Sequence, residues 1–305
     1  MISVVIPVKN GGTDLVRCLD AIARQRVDEE VEIVVVDSGS SDGSPARAES
    51  LGARVHSISP GEFHHGRTRN VGAELARGDI LVFTSQDAYA AGDHWLVDLT
   101  SPLRSENGVA GVYGRQVAHE DARPPERFFL DFLYGPEARI QRLENDDELS
   151  LEVTLFSNVN SALPRRIWQE YPFDEHIIMS EDQEWSRRVL VAGMTIVYEP
   201  GAIVRHSHSY SIAAAMRRFF DSGVSAERSY VGDGRRSNAA LRRAGARYAR
   251  DEIAWLWRTG QRRWIPYATV YELAKFTGLQ LGRRHRHIPG ALRRRLSDYP
   301  RYWDA

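Results

Sequence analysis

The chain has 305 residues with a formal net charge of −1, and hydrophobic residues make up 42% of it. These values are typical of a soluble globular protein with one large domain and an appendage. No apolar run approaches the roughly 20 residues of a membrane-spanning helix, which excludes an integral helical membrane protein. The N-terminus shows no signal peptide, and the single cysteine, Cys18, cannot form an internal disulfide, so we expect a cytoplasmic protein.

The N-terminal part of the sequence alternates apolar strands with helices. Strands are predicted at residues 3–8, 32–37, 54–57, 80–85 and 109–115. Helices are predicted at residues 14–24, 44–51, 68–76 and 95–104. Apolar strands separated by helices indicate an α/β domain whose mostly parallel sheet is covered by helices on both faces.

The second half of the sequence changes character twice. Residues 116–150 lose the alternation, and the acidic run at 144–148 is expected to be a solvated loop. Further strands are predicted at 158–163, 195–198 and 202–205, and further helices at 164–170, 184–192, 212–230, 237–259 and 266–282. The pattern therefore predicts a domain at residues 1–210 and a basic helical C-terminal region at residues 211–305.

Two acidic motifs, far apart in the sequence, carry the candidate chemistry. Asp87 follows an apolar strand, so its carboxylate is expected at the ligand edge of an open α/β sheet, where it could hold a divalent cation. Asp182 lies in a Glu-Asp pair that opens a predicted helix, where a carboxylate could act as a general base. A metal ion and a base are what sugar transfer from a nucleotide donor requires, so the sequence predicts an enzyme.

Residues that suit a nucleotide follow the first two strands. Pro7, Val8 and Asn10 close the first strand, where backbone groups could line a base pocket. Asp37 ends the second strand beside a Gly/Ser-rich loop, where a carboxylate can accept hydrogen bonds from a nucleobase or a ribose. A turn-forming role would explain Asp37 equally well.

Basic and histidine side chains gather at two other strand ends. Residues 63–70 precede a helix and include Arg69 and Asn70, and a guanidinium at a helix N-terminus suits a diphosphate. His206 and His208 lie two residues apart at the end of the last predicted strand, so their side chains point to the same face. Either imidazole could complete an oxygen-rich metal site that begins with Asp87.

Taken together, the motifs at residues 3–10, 35–43, 69–79, 85–87 and 181–182 resemble, in this order, those of glycosyltransferase family 2. These are inverting enzymes with the GT-A nucleotide-sugar-binding fold, and the resemblance covers residues 2 to about 210. Within that family, residues 63–70, 84–88, 157–161 and 206–210 resemble the rhamnosyltransferase group.

The resemblance implies roles for individual residues. The nucleotide-sugar contacts it implies are Pro7, Val8, Asn10, Asp37, Arg69, Asn70, Gln86 and Asp87. Asp87 would hold Mg²⁺ or Mn²⁺ with His206 or His208, and Asp182 would be the base. Glu181 and Trp185 would contact the acceptor. The sequence departs from the family at Gln86, because many members carry a second acid in that motif.

The activity implied is transfer of L-rhamnose from dTDP-β-L-rhamnose to a hydroxyl of a polysaccharide or of a lipid-linked oligosaccharide. A UDP-sugar donor is the alternative within the family. A catalytically inactive nucleotide-sugar-binding protein is an alternative from another class, but the presence of both Asp87 and Asp182 favours an enzyme.

The C-terminal region points to an anionic partner. Residues 235–305 hold 17 Lys and Arg against 5 Asp and Glu, a balance of +12. Aromatic residues such as Trp257 lie among the Arg residues, a pattern that fits helices on the inner face of an anionic membrane, packing within the protein, or a homo-oligomer interface. Stacking on nucleic-acid bases is a further interpretation, but we expect no nucleic-acid partner.

Overall fold

The computed structural model describes residues 1–105, 108–143, 149–230 and 235–304, so the acidic run predicted as a loop lies outside the described residues. The strands are β1 (Ile2–Val8), β2 (Val31–Asp37), β3 (Arg54–Ser57), β4 (Ile80–Thr84), β5 (Tyr89–Ala90), β6 (Val109–Val117), β7 (Arg139–Gln141), β8 (Asn160–Pro164) and β9 (Thr195–Arg205).

The helices are interspersed with the strands as far as β9, and after β9 helices alone follow within the described residues. They are α1 (Gly12–Ala23), α2 (Ser44–Ser50), α3 (His65–Leu75), α4 (Trp95–Thr100), α5 (Pro102–Ser105), α6 (Pro124–Leu133), α7 (Arg165–Glu170), α8 (Glu181–Val191), α9 (Ile212–Ser229), α10 (Arg235–Arg258), α11 (Ile265–Gly282) and α12 (Gly290–Leu296).

The strands form one mixed sheet. Within the described residues its order is β3-β2-β1-β4-β8-β6-β9-β5, and β7 also pairs with β9. Strands β3, β2, β1 and β4 are parallel, as predicted, but β8 runs antiparallel to both β4 and β6. Strands β6 and β9 are also parallel to each other, whereas β5 and β7 run antiparallel to β9. The predicted parallel pairing therefore does not extend to β5, β7 and β8, because an apolar run identifies a strand without giving its direction.

Three further features differ from the sequence prediction. The strands predicted at 195–198 and 202–205 are one strand, β9, whose register against β6 shifts between Glu199 and Ile203. The stretch without clear periodicity contains α6 and β7. Helix α8 begins at Glu181 rather than at residue 184, so the Glu-Asp pair lies in its first turn.

The sheet core brings the helix that carries Arg69 close to the strands. Strands β1 and β4 are buried on both faces, as expected for central strands between helical layers. Helix α3 crosses β1 and β2 at Gly72, where a Cβ atom would collide with Val5 and Val36. Only glycine allows this approach, and it places the N-terminal turn of α3 at the ligand edge of the sheet.

The C-terminal helices pack tightly on one another. Helices α9 and α11 cross at Gly223, Gly278 and Gly282, and a Cβ atom at any of these positions would collide with backbone of the opposite helix. None of the helices in the described part of the chain combines the length and the apolar character that a membrane crossing needs.

A buried charged cluster joins α10 and α11 to α6. Lys275 is 6% exposed, forms an ion pair with Glu272 at 2.8 Å and lies over the ring of Phe129 at 4.6 Å. Glu252 is 1% exposed beside this pair. Burial, followed by the charge of Glu272, raises the pKa of Glu252 to about 8.

The final residues return to the α/β domain. The hydroxyl of Tyr302 donates to the carbonyl of His176 at 3.2 Å, and Tyr299 and His65 share a hydrogen bond of 2.5 Å. The C-terminal region therefore closes over the ligand edge of the sheet. The division into units at 1–210 and 211–305 stays a prediction.

Candidate active site

A cleft of about 660 Å³ opens at the ends of β1, β4 and β9 and is covered by α8, α9 and the C-terminal segment. The predicted site residues that line it are Pro7, Val8, Arg69, Gln86, Asp87, Glu181, Asp182, His206 and His208. Four other predicted site residues, Asn10, Asp37, Asn70 and Trp185, lie outside this lining.

One side of the cleft holds a possible metal site. Asp87, His206 and His208 each offer one ligand atom, and these atoms lie within 4.8 Å of one another. The carboxylate of Asp87 is 3.8 Å from Nε2 of His206 and 3.5 Å from Nε2 of His208, and the two Nε2 atoms are 3.0 Å apart. The alternate spacing of the two imidazoles after β9 thus brings both to the carboxylate that follows β4.

A second layer of hydrogen bonds orients His206. Its Nδ1 lies 3.0 Å from Oε1 of Gln116, and Nε2 of Gln116 donates to Oγ of Ser157 at 3.0 Å. This arrangement puts the proton on Nδ1 and leaves the lone pair of Nε2 facing the cleft. Neither Gln116 nor Ser157 was among the predicted site residues.

The protonation states of these groups suit a cation. Burial, followed by the neighbouring His208, lowers the pKa of His206 to about 3, and burial also lowers the pKa of His208. Both imidazoles are therefore neutral near pH 7 and can act as ligands. Two neutral nitrogens and one carboxylate fit a divalent cation.

Gln86 stands immediately before Asp87, in the motif where an Asp-rich metal site would have a second carboxylate. Its Oε1 accepts the backbone N–H of Lys9 at 2.8 Å, and its Nε2 donates to the carbonyl of Lys9 at 3.1 Å. This pair of bonds needs both a donor and an acceptor, which a carboxylate cannot supply. Gln86 therefore links the ends of β1 and β4, and Asp87 alone presents a carboxylate from this turn.

The opposite side of the cleft holds the candidate base. Asp182 is half-buried in the first turn of α8, and its carboxylate accepts the backbone N–H groups of Asn158 at 3.2 Å and Gln183 at 2.9 Å. Ser180, which precedes the helix, has φ 63, a left-handed conformation that is uncommon for a non-glycine residue and is often found at functional sites. This turn aims the carboxyl group of Asp182 into the cleft.

The two adjacent acids of α8 have opposite pKa shifts. Burial, followed by the charge of Glu181, raises the pKa of Asp182 to about 7. Burial also acts on Glu181, but its ion pair with Arg69, at 2.9 Å, outweighs that effect and lowers its pKa. A carboxyl group with a pKa near the working pH is suited to general base catalysis, whereas Glu181 is held as a paired anion.

Two predicted site residues lie in the core of the protein. Trp185 is 0% exposed and packs between Phe156 and Phe173. Asn70 is buried and binds Trp168 and backbone groups of Phe173. Their contacts with the acceptor and with the nucleotide stay predictions.

Arg69 and Glu181 neutralise each other. Both side chains are less than a tenth exposed, and Arg69 also donates to the carbonyl of His65 at 3.2 Å. Arg69 lines the cleft, but its guanidinium is held by a carboxylate of the same protein. Glu181 likewise lines the cleft, and its role as an acceptor contact stays a prediction.

The loops after β1 and β2, which the sequence predicts to contact the nucleotide, adjoin the cleft. Oδ2 of Asp37 accepts N–H groups of Gly39 and Ser40, each at 3.0 Å, whereas its Oδ1 is buried and has no hydrogen-bond partner among the described residues. Asn10, with φ 50, accepts the N–H of Ser41 at 2.8 Å and so joins the two loops. Asp37 therefore shapes its own turn and also keeps one acceptor oxygen free.

Arg218 is a cleft residue that the sequence did not single out. It lies on α9 and its guanidinium stands 5.6 Å from the ring centroid of Tyr210. Arg residues recur along the C-terminal helices, so the sequence offers no signal that distinguishes Arg218 from the others.

Comparison with known proteins identifies the family. The model of "Glycosyl transferase family 2" matches residues 3–171. The chain is 30% identical to the O-antigen chain rhamnosyltransferase RfbN of Salmonella typhimurium, over 99% of this chain and 96% of that protein. It is 31% identical to the O-antigen chain rhamnosyltransferase WbaN of Salmonella anatum, over 99% and 95% respectively.

Solved structures share the fold at low sequence identity. The mannosyltransferase PcManGT of Pyrobaculum calidifontis, in complex with GDP-Man and Mn²⁺, gives a TM-score of 0.59 at 18% identity over 92% of this chain and 86% of that one. TarS 1–349 of S. aureus, in complex with UDP-GlcNAc, gives 0.55 at 16% identity over 99% and 88%. This chain is therefore an inverting glycosyltransferase with a GT-A fold, and it belongs to glycosyl transferase family 2.

Proposed function

We propose that the protein transfers L-rhamnose from dTDP-β-L-rhamnose to a hydroxyl of a polysaccharide or lipid-linked oligosaccharide acceptor, with Asp182 as the base. The observation that carries this proposal is the cleft, where a candidate base with a pKa of about 7 lines the same space as the Asp87–His206–His208 cluster. The similarity along nearly the whole chain to two O-antigen chain rhamnosyltransferases supports rhamnose as the sugar.

The transfer step follows from the position of Asp182. Its carboxylate removes the proton of the acceptor hydroxyl while that oxygen attacks the anomeric carbon of the donor. The new carbon–oxygen bond forms on the face opposite to the diphosphate, whose own bond to the anomeric carbon breaks. The nucleoside diphosphate leaves with the bonding electrons, the proton stays on Asp182, and the anomeric configuration inverts.

The donor is expected to bind along the ends of β1, β2 and β4. The unpartnered Oδ1 of Asp37 supports a hydrogen bond from a nucleobase or ribose at the outer end of the site. The backbone of Pro7 and Val8 lines the way from there to the metal cluster. A divalent cation held by Asp87, His206 and His208 would supply positive charge to the departing diphosphate.

The ligand set bears on the choice of cation. Mg²⁺ prefers oxygen ligands, whereas two of the three side chains here offer imidazole nitrogen. Mn²⁺ accepts a mixed set more readily, so we propose Mn²⁺ ahead of Mg²⁺.

We further propose that the C-terminal helices hold the enzyme at an anionic membrane surface that carries the acceptor. On α10, Ile253 and Trp257 are 39% and 55% exposed, and on α11 Leu273 and Phe276 are 63% and 44% exposed. Each pair is spaced to share one helix face. Exposed apolar side chains on helices from a segment with a +12 charge balance support docking on anionic lipid.

The experiment that tests the donor is a thermal-shift screen of nucleotide sugars with and without Mn²⁺. The proposal expects dTDP-β-L-rhamnose with Mn²⁺ to raise the melting temperature most, because a ligand that binds only the folded state stabilises it. A larger shift with a UDP-sugar would identify that UDP-sugar as the donor instead. No shift with any nucleotide sugar would contradict the proposal.

A further inference from the structure

Arg218 occupies a place in the cleft that neither the motifs nor the metal cluster explain. It lies on α9, near the middle of the helix, and lines the cleft on the side of His206 and His208. Asp87, His206 and His208 line the same cleft, so Arg218 and the metal cluster border the same space.

The neighbours of Arg218 are aromatic side chains rather than an ion-pair partner. Its guanidinium stands 5.6 Å from the ring centroid of Tyr210, and the side chain of Tyr299 lies next to it. Within the described residues no carboxylate lies within ion-pair distance of Arg218, although the charge of Asp298, which pairs with the neighbouring Arg217 at 3.7 Å, also acts on it. Arg218 is thus a half-buried cation beside two phenol rings.

The other cations that line the cleft differ from Arg218. Arg69 is paired with Glu181 at 2.9 Å, and Lys275 is paired with Glu272 at 2.8 Å. Lys9, after the end of β1, is exposed to solvent. Among the described residues Arg218 is therefore the cleft-lining Lys or Arg that is neither exposed nor held in an ion pair, and an anion that enters the cleft beside it can form charge-assisted hydrogen bonds without displacing a carboxylate.

We propose that Arg218 binds the diphosphate of the nucleotide-sugar donor, and that the C-terminal region thereby completes the donor site. This inference rests on the proposed function, since it concerns the same cleft and the same donor. A guanidinium offers forked N–H donors that match phosphate oxygens, and a diphosphate gains charge as the sugar leaves. Arg218 then has the role in diphosphate binding that the sequence predicts for Arg69.

The C-terminal segment that carries Tyr299 connects Arg218 to helix α3. Tyr299 contacts the Arg218 side chain and also shares a hydrogen bond of 2.5 Å with His65 in the first turn of α3. Removal of the Tyr299 hydroxyl should therefore weaken diphosphate binding as well, but less than removal of the guanidinium.

The test measures binding of dTDP and dTMP, each with Mn²⁺, by calorimetry on the full chain. Loss of a charge-assisted hydrogen bond predicts that Arg218→Gln weakens dTDP binding by about 10- to 100-fold and affects dTMP much less. Arg217→Gln, the matched control on the preceding residue of α9, should bind both nucleotides as the wild type does. Arg218→Lys and Tyr299→Phe keep a charge at this place, and both should show intermediate losses.

The outcomes separate this inference from the proposed function. If the wild type binds neither dTDP nor UDP, the proposed function fails, and the inference fails with it. If the wild type binds dTDP and Arg218→Gln binds it equally tightly, the inference alone is overturned. Should Arg218→Gln not fold, unchanged dTDP binding by both Arg218→Lys and Tyr299→Phe would overturn it.

Discussion

Replacement of Asp182 by Asn changes the one group that the proposed mechanism uses as a base. The carboxylate accepts the backbone N–H groups of Asn158 and Gln183, and an Asn side chain can keep one of these bonds through its carbonyl oxygen but cannot take a proton. Loss of a positioned general base lowers turnover by ~10²–10⁴-fold, which corresponds to about 3–5 kcal/mol of transition-state stabilisation.

The raised pKa of Asp182 determines how activity and stability should change with pH. Its carboxyl group must be deprotonated to act as a base and its pKa is about 7, so kcat/KM of the wild type should rise with pH and level off above that value. An acid whose pKa is raised on folding stabilises the protein at low pH, and this contribution is lost as pH rises through the folded pKa. Asp182→Asn should therefore not lower the melting temperature in mildly basic buffer.

The assay is release of nucleoside diphosphate with donor and acceptor present, measured from mildly acidic to mildly basic pH. Asp79→Asn, whose side chain is 92% exposed and outside the cleft lining, is the control and should match the wild type. Near-normal turnover of Asp182→Asn, or a wild-type profile that stays flat through neutral pH, would contradict the role of Asp182 as the base.

Three further predictions concern the metal, the buried acid and the membrane. His208→Ala should abolish the stabilisation of the protein by Mn²⁺, read as a melting-temperature shift, because it removes one of three ligands; an unchanged shift would contradict the site. Glu252→Gln should raise the melting temperature in mildly basic buffer and change it little near pH 5, since the pKa of Glu252 is about 8 when folded and near 4.5 when unfolded. An equal change in melting temperature at both pH values would contradict the raised pKa of Glu252. The wild type should co-sediment with anionic vesicles at low salt and be released at high salt, and Trp257→Ser should weaken this binding. No binding at low salt would contradict membrane docking by the C-terminal helices.

The sequence predicts the parts of the site that depend on strand ends. Asp87 follows β4, and His206 and His208 follow β9, so the rule that ligands gather at one edge of the sheet is enough to place these three side chains together. The helix that carries Asp182 is also predicted, although it begins three residues earlier than expected.

The features that the sequence missed depend on direction and on tertiary contacts. The antiparallel course of β8 cannot be read from its apolar pattern. Trp185 lies one helical turn after Glu181, yet it points into the core rather than into the cleft. Gln116 and Arg218 have no local motif, and each acquires its place from residues that are distant in the chain, Ser157 for the former and Tyr299 for the latter.

A donor panel assayed for turnover tests most directly whether the protein transfers rhamnose with Asp182 as the base. The wild type with Mn²⁺ is incubated with dTDP-β-L-rhamnose or with UDP-sugars, and nucleoside diphosphate release is compared with that of Asp182→Asn. We expect the fastest release from dTDP-β-L-rhamnose and a ~10²–10⁴-fold slower rate in the variant. Release from UDP-sugars alone, or equal rates in both proteins, would contradict it.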